Sequence, residues 1–290
     1  MIKGSAAAVA LALAQNPWSL FGGEDAGDGE TLIPFLDAQA MNPKRPMLEW
    51  AQLTDWITPN EQLFAVSHYG TPTVEPDGWQ LEISGLVKRP KKFSLEEIRS
   101  RRRKSVVATL ECSGNSSNPG FLGAIGNLRW TGTPLGPLLR ECGPLARGRE
   151  IVFFGADEKV EKIREQDFPQ NFARSLAAKD ALGDDVLLAY EMNGEPLPID
   201  HGFPVRMVIP GLYGFISATK WVTTIEAATY ADMPAYWTVR GWATDAPVLT
   251  GSRIDQPNPG AMKAGATNIG GVAWAMDGDG VSSVEVQVDD

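Results

Sequence analysis

The segment Ala108-Thr109-Leu110-Glu111-Cys112-Ser113-Gly114-Asn115 joins an apolar run to a thiol and then to a small polar turn. Residues 105–110 have a strand-forming composition, and the Ser-Gly-Asn sequence after the cysteine is typical of a turn. This order predicts a rigid strand that ends at Cys112 and leaves its sulfur reachable. A thiolate in that position is compatible with a nucleophile, a redox partner or a ligand for a soft metal.

Length and charge restrict the class of protein. The chain has 290 residues, 43% of them hydrophobic and 21% charged. This is enough for one large globular domain and part of a second. The formal net charge of −10 argues against nucleic acid as a general partner. It suits a protein that handles small molecules, and it would attract a basic protein partner.

The two cysteines, Cys112 and Cys142, do not amount to a disulfide framework, although a single bridge between them has to be weighed. Apolar residues around Cys142 recur at i, i+3, i+4 and i+7, and Gly143 follows, so we predict a short helix with a glycine cap. Cys142 would then be a buried small hydrophobe, which favours two free thiols over a bridge.

Residues 1–30 are predicted to be the remnant of an export signal followed by an arm. Lys3 precedes an alanine-rich run that is too short to span a bilayer. The run resembles the tail of a twin-arginine signal, without the arginine pair, and implies a periplasmic location. A frayed alanine-rich helix is the alternative interpretation. Residues 15–60, rich in Pro, Asn, Gly and acidic residues, are expected to be extended.

The pattern of the remaining chain predicts an α+β fold for the domain at residues 31–250, since strands and short helices mix without a regular βαβ rhythm. Ser94 and Glu97 form a capping box that would open a helix reaching Lys104. Arg101 to Lys104 would be solvated at the end of this helix, and a docking patch for a redox partner is the less favoured alternative. The other expected elements are strands at 79–85, 151–154 (ending at Asp157), 186–190 and 205–209, a helix at 175–182 and a turn at Asn193-Gly194.

The pattern of the sequence changes after about Pro257, where short strand-like segments replace the mixture of strands and helices. Residues 270–275 and 281–288 alternate as strands do, and the Asp-Gly sequence at 277–280 favours a turn between them. Residues 251–290 therefore predict the beginning of a small β-sandwich that would be incomplete.

Several common catalytic, metal-binding and nucleotide-binding motifs are missing from the sequence. There is no Cys-x-x-Cys pair, G-x-S-x-G elbow, P-loop or dinucleotide fingerprint, and His68 and His201 are far apart. Near His201, a Gly-Phe-Pro corner leads to Arg206, and Lys220-Trp221 follows shortly after. Together these residues are suited to one anionic ligand. Taken singly, each has a plain structural explanation.

Five separated blocks, taken with Cys112, resemble the sulfite oxidase family of molybdopterin-dependent oxidoreductases, in its bacterial exported branch. Their order and spacing agree over about residues 63–290, whose last part is similar to that family's immunoglobulin-like dimerisation domain. The blocks are Thr109–Asn115, Arg129–Leu135, Leu187–Pro198, Asp200–Arg206 and Lys220–Trp221.

The resemblance implies a molybdenum cofactor in which Cys112 supplies the protein thiolate and the molybdopterin dithiolene supplies the other sulfurs. It also implies that Trp242 stands near the position of the family's active-site tyrosine. Arg240, two residues earlier, is a further catalytic candidate. The residues implied as cofactor contacts are Phe64, Ser67, His68, Asp157, His201, Arg206, Ala218, Thr219 and Lys220.

The sequence departs from the family where a sulfite pocket carries arginine. Val66 stands two residues before His68, and Ser116 and Ser117 follow the Cys-x-Gly-Asn run. A sulfite-binding pocket needs cationic partners. Arg240 or Arg129 is a candidate replacement. The cofactor therefore follows from the resemblance more directly than the substrate does.

The leading hypothesis is an enzyme that transfers an oxygen atom to or from a small sulfur compound. No Cys-x-x-Cys-His haem site is present, so electrons are expected to pass to a separate carrier such as a cytochrome. A homodimer through residues 251–290 and no membrane span are also expected. The alternatives are a reductase of an uncharged oxide such as a sulfoxide, a catalytically silent pterin-binding scaffold and, least favoured, a cysteine hydrolase that uses His68 or His201.

Overall fold

The structure is a computed structural model that describes residues 48, 55–115, 123–163, 166–229, 247–256, 268–275 and 281–287. The strands in chain order are β1 (Gln80–Gly85), β2 (Lys91–Ser94), β3 (Lys104–Glu111), β4 (Ile125–Pro134), β5 (Glu150–Ile163), β6 (Gln166–Ala177), β7 (Leu187–Met192), β8 (Glu195–Pro196), β9 (Arg206–Val208), β10 (Val222–Ala228), β11 (Gly251–Gln256) and β12 (Gly270–Trp274). The helices are α1 (Leu95–Arg99), α2 (Leu135–Cys142), α3 (Ala178–Ala181) and α4 (Gly214–Ser217). The predicted α+β class is confirmed, with strands predominating.

The first sheet has the strand order β2-β1-β10-β5-β6. β1 runs parallel to β10, and the other neighbours are antiparallel. In β1, Leu81 and Ile83 are buried while the residues between them are not, as the alternating pattern of the sequence predicts.

The second sheet has the order β3-β4-β7-β8, and β9 also pairs with β7. β3 and β4 are in register from Lys104 opposite Gly132 to Glu111 opposite Ile125. The predicted strand before Cys112 is therefore confirmed, and β4 holds it along its whole length.

Two apolar clusters fill the interior of the described part of the chain. The larger one packs the first sheet against α2 and one face of the second sheet. The smaller one lies on the other side of the second sheet and includes Leu63, Phe64 and Trp130, with Cys112 packed against its edge. The second sheet thus separates two cores, and the cysteine lies at the rim of the smaller one.

α2 has the form predicted from its spacing. Cys142 is fully buried, and Gly143 ends the helix in the left-handed region at φ 70°, with its N–H bonded to the carbonyl of Leu139. Cys112 and Cys142 are both free thiols, so the interpretation without a bridge is confirmed.

The helix expected to reach Lys104 is much shorter. The capping box of Ser94 and Glu97 is present, but α1 ends at Arg99. The basic run that follows is not helical. The side chains of Arg102 and Arg103 are largely exposed, as predicted, but every member of the run also forms an ion pair with an acid distant in sequence. The pairs are Arg101–Glu141 (2.9 Å), Arg102–Asp184 (2.6 Å), Arg103–Glu191 (2.6 Å), Lys104–Asp184 (2.9 Å) and Lys104–Asp185 (2.7 Å).

Two further boundaries differ from the prediction. β5 does not end at Asp157 but continues to Ile163, so Asp157 lies inside a strand irregularity instead of at a strand end. Residues 175–177, predicted as helix, belong to β6 because they pair with residues 150–152 of β5, and only residues 178–181 are helical. Tertiary pairing overrides local propensity here.

The predicted hairpin near the C-terminus is wrong in its partner. β12 forms as expected, but it pairs with β11, with Ser252 opposite Ala273. Residues 281–287 are not in a strand, and residues 277–280 lie outside the described ranges. These segments therefore do not establish an immunoglobulin-like sandwich. Within the described ranges, no helix has the length and apolar character needed to cross a membrane.

Candidate functional site

The Cys112 turn is held by backbone and side-chain hydrogen bonds. The N–H of Cys112 donates to the carbonyl of Ala124 at 3.0 Å, and its own carbonyl accepts from the N–H of Asn115 at 2.8 Å. The side chain of Asn115 closes the turn, since its oxygen accepts from the N–H of Ala124 at 3.1 Å. The sulfur is therefore carried on a fixed backbone, as the sequence predicted.

The environment of the thiol favours its protonated form while no metal is bound. Burial is the main cause that raises the pKa of Cys112, and the nearby Glu111 carboxylate adds to it. Hydrogen bonds from the N–H groups of Gly114 and Asn115 partly offset this effect. Burial likewise raises the pKa of Glu111, which accepts a hydrogen bond from the Asn115 amide at 3.1 Å.

Asp157 is aimed inward by an irregularity between β5 and β6. The register shifts between Phe154 and Glu158, so residues 155–157 bulge out of the ladder. Asn171 holds the bulge through its amide, which donates to the carbonyl of Gly155 at 3.2 Å. Gly155 is needed here because a Cβ would lie 2.5 Å from the Asp157 carboxylate and 2.8 Å from the Lys220 carbonyl.

The Asp157 carboxyl has a strongly altered ionisation. It is 4% exposed, and burial raises its pKa to about 6, although its own N–H, the Lys220 charge, the N–H of Tyr69 and the Arg174 charge all act in the opposite direction. Its Oδ1 atom is buried and has no hydrogen-bond partner within the described part of the chain. Such an atom is costly unless a ligand supplies a donor.

The His201 and Arg206 side chains lie at the corner predicted from the sequence. A 3₁₀ turn over Ile199–His201 ends at Gly202, whose φ is +103°. Arg206 is 2% exposed, donates from Nη1 to the His201 carbonyl at 3.1 Å and lies 4.6 Å over the Trp130 ring. Burial lowers its pKa to about 9. Arg206, one of the residues predicted to suit an anionic ligand, is therefore a buried cation and not a surface arginine.

Lys220 meets this corner from the neighbouring segment. Its Nζ donates to the Asp200 carbonyl at 2.8 Å and lies 4.2 Å over the Trp221 ring. A Cβ on Gly202 would lie 2.9 Å from the Arg206 Cβ and 3.0 Å from the Lys220 Cβ, so only glycine leaves room for both of these side chains to begin at this corner. Thr219 is fully buried, and its hydroxyl oxygen has no partner among the described residues.

The predicted loop at 64–68 lies between the smaller core, against which Cys112 packs, and Phe172 of β6. Phe64 is buried in the smaller core, which Cys112 also contacts. The His68 ring lies 4.5 Å from that of Tyr69 and 6.5 Å from that of Phe172. Val66 is 43% exposed, so an apolar side chain stands at the surface where the family resemblance placed arginine.

Sequence reasoning missed one buried cation, Arg174 of β6. It is 4% exposed and contributes a favourable charge to Asp157. A single arginine in an otherwise ordinary strand pattern gave no signal of this role. Arg129, a candidate replacement for the missing arginines, is exposed and lies four residues along β4 from Ile125, the partner of Glu111. Trp242, Arg240, Ser116 and Ser117 lie outside the described ranges.

The strand that leads to Cys112 lies beside Arg206. A small cavity between β3 and β9 is lined by Leu110, Trp130, Arg206 and Ser217, which joins the cysteine strand to the arginine. Gly214 of α4 lies against the Glu111 carbonyl, where a Cβ would be 3.2 Å away. Ala218, Thr219 and Lys220 follow α4 directly.

The donor set suits a large polar cofactor with an anionic end and a soft metal. The orphaned Asp157 Oδ1 and Thr219 Oγ1 atoms require polar partners, and the cations Arg206 and Lys220 suit a phosphate. A thiolate is a suitable ligand for a soft metal. The residues present therefore fit a phosphate-bearing pterin with its metal.

Comparison with known proteins gives the same class. Residues 68–237 match the family described as oxidoreductase molybdopterin binding domain. The chain is 34% identical over 268 residues to sulfite oxidase of Gallus gallus, covering 81% of this chain and 57% of that protein. It is 33% identical over 233 residues to inducible nitrate reductase [NADH] 1 of Glycine max, covering 73% and 26%.

A solved structure is similar as well. The crystal structure of the sulfane dehydrogenase SoxCD from Paracoccus pantotrophus aligns with a TM-score of 0.63 at 26% identity, covering 85% of this chain and 71% of that chain. This chain spans about half the length of the sulfite oxidases it matches, from 57% down to 47%.

The chain belongs to the oxidoreductase molybdopterin-binding domain family, of the sulfite oxidase type. The predictions of a molybdopterin-dependent oxidoreductase and of a molybdenum–molybdopterin cofactor are confirmed at this level. The individual contacts remain predictions.

Proposed function

We propose that this protein transfers an oxygen atom to or from a small sulfur compound. The observation that carries the proposal is the fixed, half-buried thiol of Cys112, which follows β3, the strand whose Leu110 lines a small cavity together with Arg206. Relatives named sulfite oxidase and a structural neighbour named sulfane dehydrogenase support a sulfur substrate.

Cys112 is the proposed metal ligand. Its thiol carries a raised pKa, so binding the metal displaces a proton that the free protein retains. The N–H groups of Gly114 and Asn115 face the sulfur and stabilise its anionic form. When bound, the cofactor supplies two-electron oxygen-atom transfer, which none of the protein side chains can perform.

The remaining contacts are proposed to hold the pterin and its phosphate. His201, Arg206 and Lys220 bind the phosphate, because the side chains of both cationic residues begin at the Gly202 corner. Asp157 accepts N–H groups of the pterin, and Thr219 adds its hydroxyl. Phe64, Ser67, His68 and Ala218 are proposed to border the ligand. Trp242 and Arg240 are kept as proposals for the substrate pocket.

Metal and pterin analysis tests this function. Purified protein from a molybdenum-replete host should contain about one molybdenum and one pterin per chain. Cys112→Ser should lose the metal, whereas Cys142→Ala, which removes the other buried thiol, should retain it. Wild-type protein that carries pterin without metal would overturn the proposal.

An uncharged oxide such as a sulfoxide is the second candidate substrate. Val66, 43% exposed, places an apolar surface where sulfite binding calls for a cation. Steady-state assays should compare sulfite, a sulfane-sulfur donor and a panel of sulfoxides. A preference for a sulfoxide as oxidant would establish the second candidate.

We further propose a periplasmic location, a separate electron-carrier protein such as a cytochrome, and homodimer formation through residues 251–290. The alanine-rich run behind Lys3 supports the first proposal, and the net charge of −10, which would attract a basic carrier protein, supports the second. Cell fractionation, reduction of added cytochrome during turnover and the mass of the protein in solution test the three proposals in turn.

A further inference from the structure

Arg174 is a buried arginine outside the set of residues that the family resemblance indicated. It lies in β6 opposite Phe153 of β5. Its Nε donates to the Phe215 carbonyl at 2.6 Å, its Nη1 donates to the Ala173 carbonyl at 2.5 Å, and its guanidinium lies 4.3 Å over the Phe172 ring. Burying a charge is costly unless its hydrogen-bonding capacity is used, and the bonds from Nε and Nη1 use part of it on fixed backbone groups.

Those contacts reach three segments of the site. Phe215 belongs to α4, which leads directly to Thr219 and Lys220. Phe172 lies 6.5 Å from the His68 ring of the covering loop. The charge of Arg174 also acts on the Asp157 carboxylate in the β5 bulge. One side chain therefore contacts or influences groups that no single strand or helix connects.

We propose that Arg174 is a positioning residue for the cofactor: it fixes α4 and the following residues against β6 and the bulge, so that Asp157, Thr219 and Lys220 face one ligand. The inference rests on the proposed function, because it assumes that these three residues contact the pterin.

α4 needs such an anchor. It has four residues, and Tyr213 at its start provides no side-chain cap. A helix of this length is not stable through its own hydrogen bonds. On one side, Gly214 lies against the Glu111 carbonyl next to Cys112. On the other side, the bond from Arg174 fixes the Phe215 carbonyl. The segment is thus held between the cysteine strand and β6.

The charge of Arg174 supplies a second, distinguishable effect. The charged groups that face Asp157 are Lys220, which follows α4, and Arg174 of β6, while the N–H of Tyr69 and its own N–H donate hydrogen bonds. Arg174 is the weakest of these influences, so its main action is geometric. Its removal nevertheless raises the pKa of Asp157 further, and the carboxylate loses its charge at a higher pH.

The test uses holoenzyme carrying Arg174→Met or Arg174→Lys. Arg140→Met is the matched control, because Arg140 also donates to a backbone carbonyl, that of Leu182 at 3.5 Å, but lies on the exposed side of α2. Pterin retained per chain is measured after dialysis at a series of pH values. The thermal midpoint of the cofactor-free protein is measured in parallel.

We expect Arg174→Met to release pterin about tenfold faster or more, as loss of a charged hydrogen bond predicts. The pH below which pterin is lost should move upward in Arg174→Met. Arg174→Lys, which keeps the charge and one donor, should restore that pH and part of the retention. Arg140→Met should resemble wild type.

Two results would overturn the inference. One is retention in Arg174→Met equal to that in Arg140→Met. The other is equal release from the Met and Lys variants with an unchanged pH dependence and a lowered thermal midpoint, which is the result of a merely structural role. Wild-type protein without pterin would instead overturn the proposed function.

Discussion

Asn115 fastens the Cys112 turn to Ala124. The Asn115 side-chain oxygen accepts the backbone N–H of Ala124 at 3.1 Å, while its amide donates to Glu111 at 3.1 Å. One side chain therefore ties the end of β3, at Glu111, to the residue that precedes β4, Ala124. The thiol is held in place before any metal arrives, which is the arrangement that a preformed ligand requires.

Replacing Asn115 should loosen this turn. Asn115→Ala removes two partly buried hydrogen bonds, so we expect a loss of ~1–3 kcal/mol of stability. Alkylation of Cys112 in cofactor-free protein should become severalfold faster, and the molybdenum content of protein made in a replete host should fall. Asn127→Ala is the control, because Asn127 also donates a side-chain bond, to the Trp56 carbonyl at 3.0 Å, further along β4. Equal alkylation rates in the two variants would contradict the role given to Asn115.

Asp157 should make the cofactor-free protein less stable at neutral pH. Its pKa is raised from 3.8 to about 6, so the folded state binds more protons than the unfolded state between these values. Stability from this group is therefore greatest below pH 3.8 and decreases as the pH rises to about 6. A shift of this size corresponds to roughly 3 kcal/mol.

Asp157→Asn should remove that dependence. At pH 7 the cofactor-free variant should be more stable than wild type, by up to ~3 kcal/mol, while its holoenzyme loses pterin more readily. Denaturant unfolding at a series of pH values measures the first effect, and pterin analysis measures the second. A stability difference between wild type and variant that does not change across this pH range would show that the burial of Asp157 is not the cause.

Gly202 should be sensitive to a single methyl group. Gly202→Ala and Gly194→Ala both place alanine at a positive φ, +103° and +88°. Nothing lies within 4 Å of the added methyl at Gly194, so that variant reports backbone strain alone, ~1 kcal/mol. At Gly202 the methyl displaces Arg206 and Lys220.

Gly202→Ala should therefore lose cofactor in addition to stability. Thermal unfolding should show a larger loss than in Gly194→Ala, and pterin retention should decrease in Gly202→Ala alone. Equal pterin retention in the two variants would show that the Gly202 corner does not take part in cofactor binding.

The sequence predicted those parts of the site that a local pattern encodes. Cys112 follows a strand and precedes a turn, and Gly202 turns the backbone between His201 and Arg206. Both features depend on neighbouring residues, and the structure has both.

Features that depend on distant pairing were not predictable. Asp157 points inward because β6 imposes a register shift on β5, and Arg174 becomes a site residue because α4 packs beside it. α1 ends at Arg99, and the basic run after it pairs with acids distant in sequence, such as Asp184. β12 likewise takes β11 as its partner instead of the later segment. In each case tertiary contacts override the local pattern.

Cys112 is the proposed protein ligand of the metal, and the number of sulfur atoms around molybdenum reports on that bond itself. X-ray absorption at the molybdenum edge should be recorded for wild type, Cys112→Ser and Cys142→Ala, using whatever metal each retains. We expect Cys112→Ser to lose one sulfur neighbour or the metal altogether, and Cys142→Ala to match wild type. An unchanged sulfur count and metal content in Cys112→Ser would contradict it.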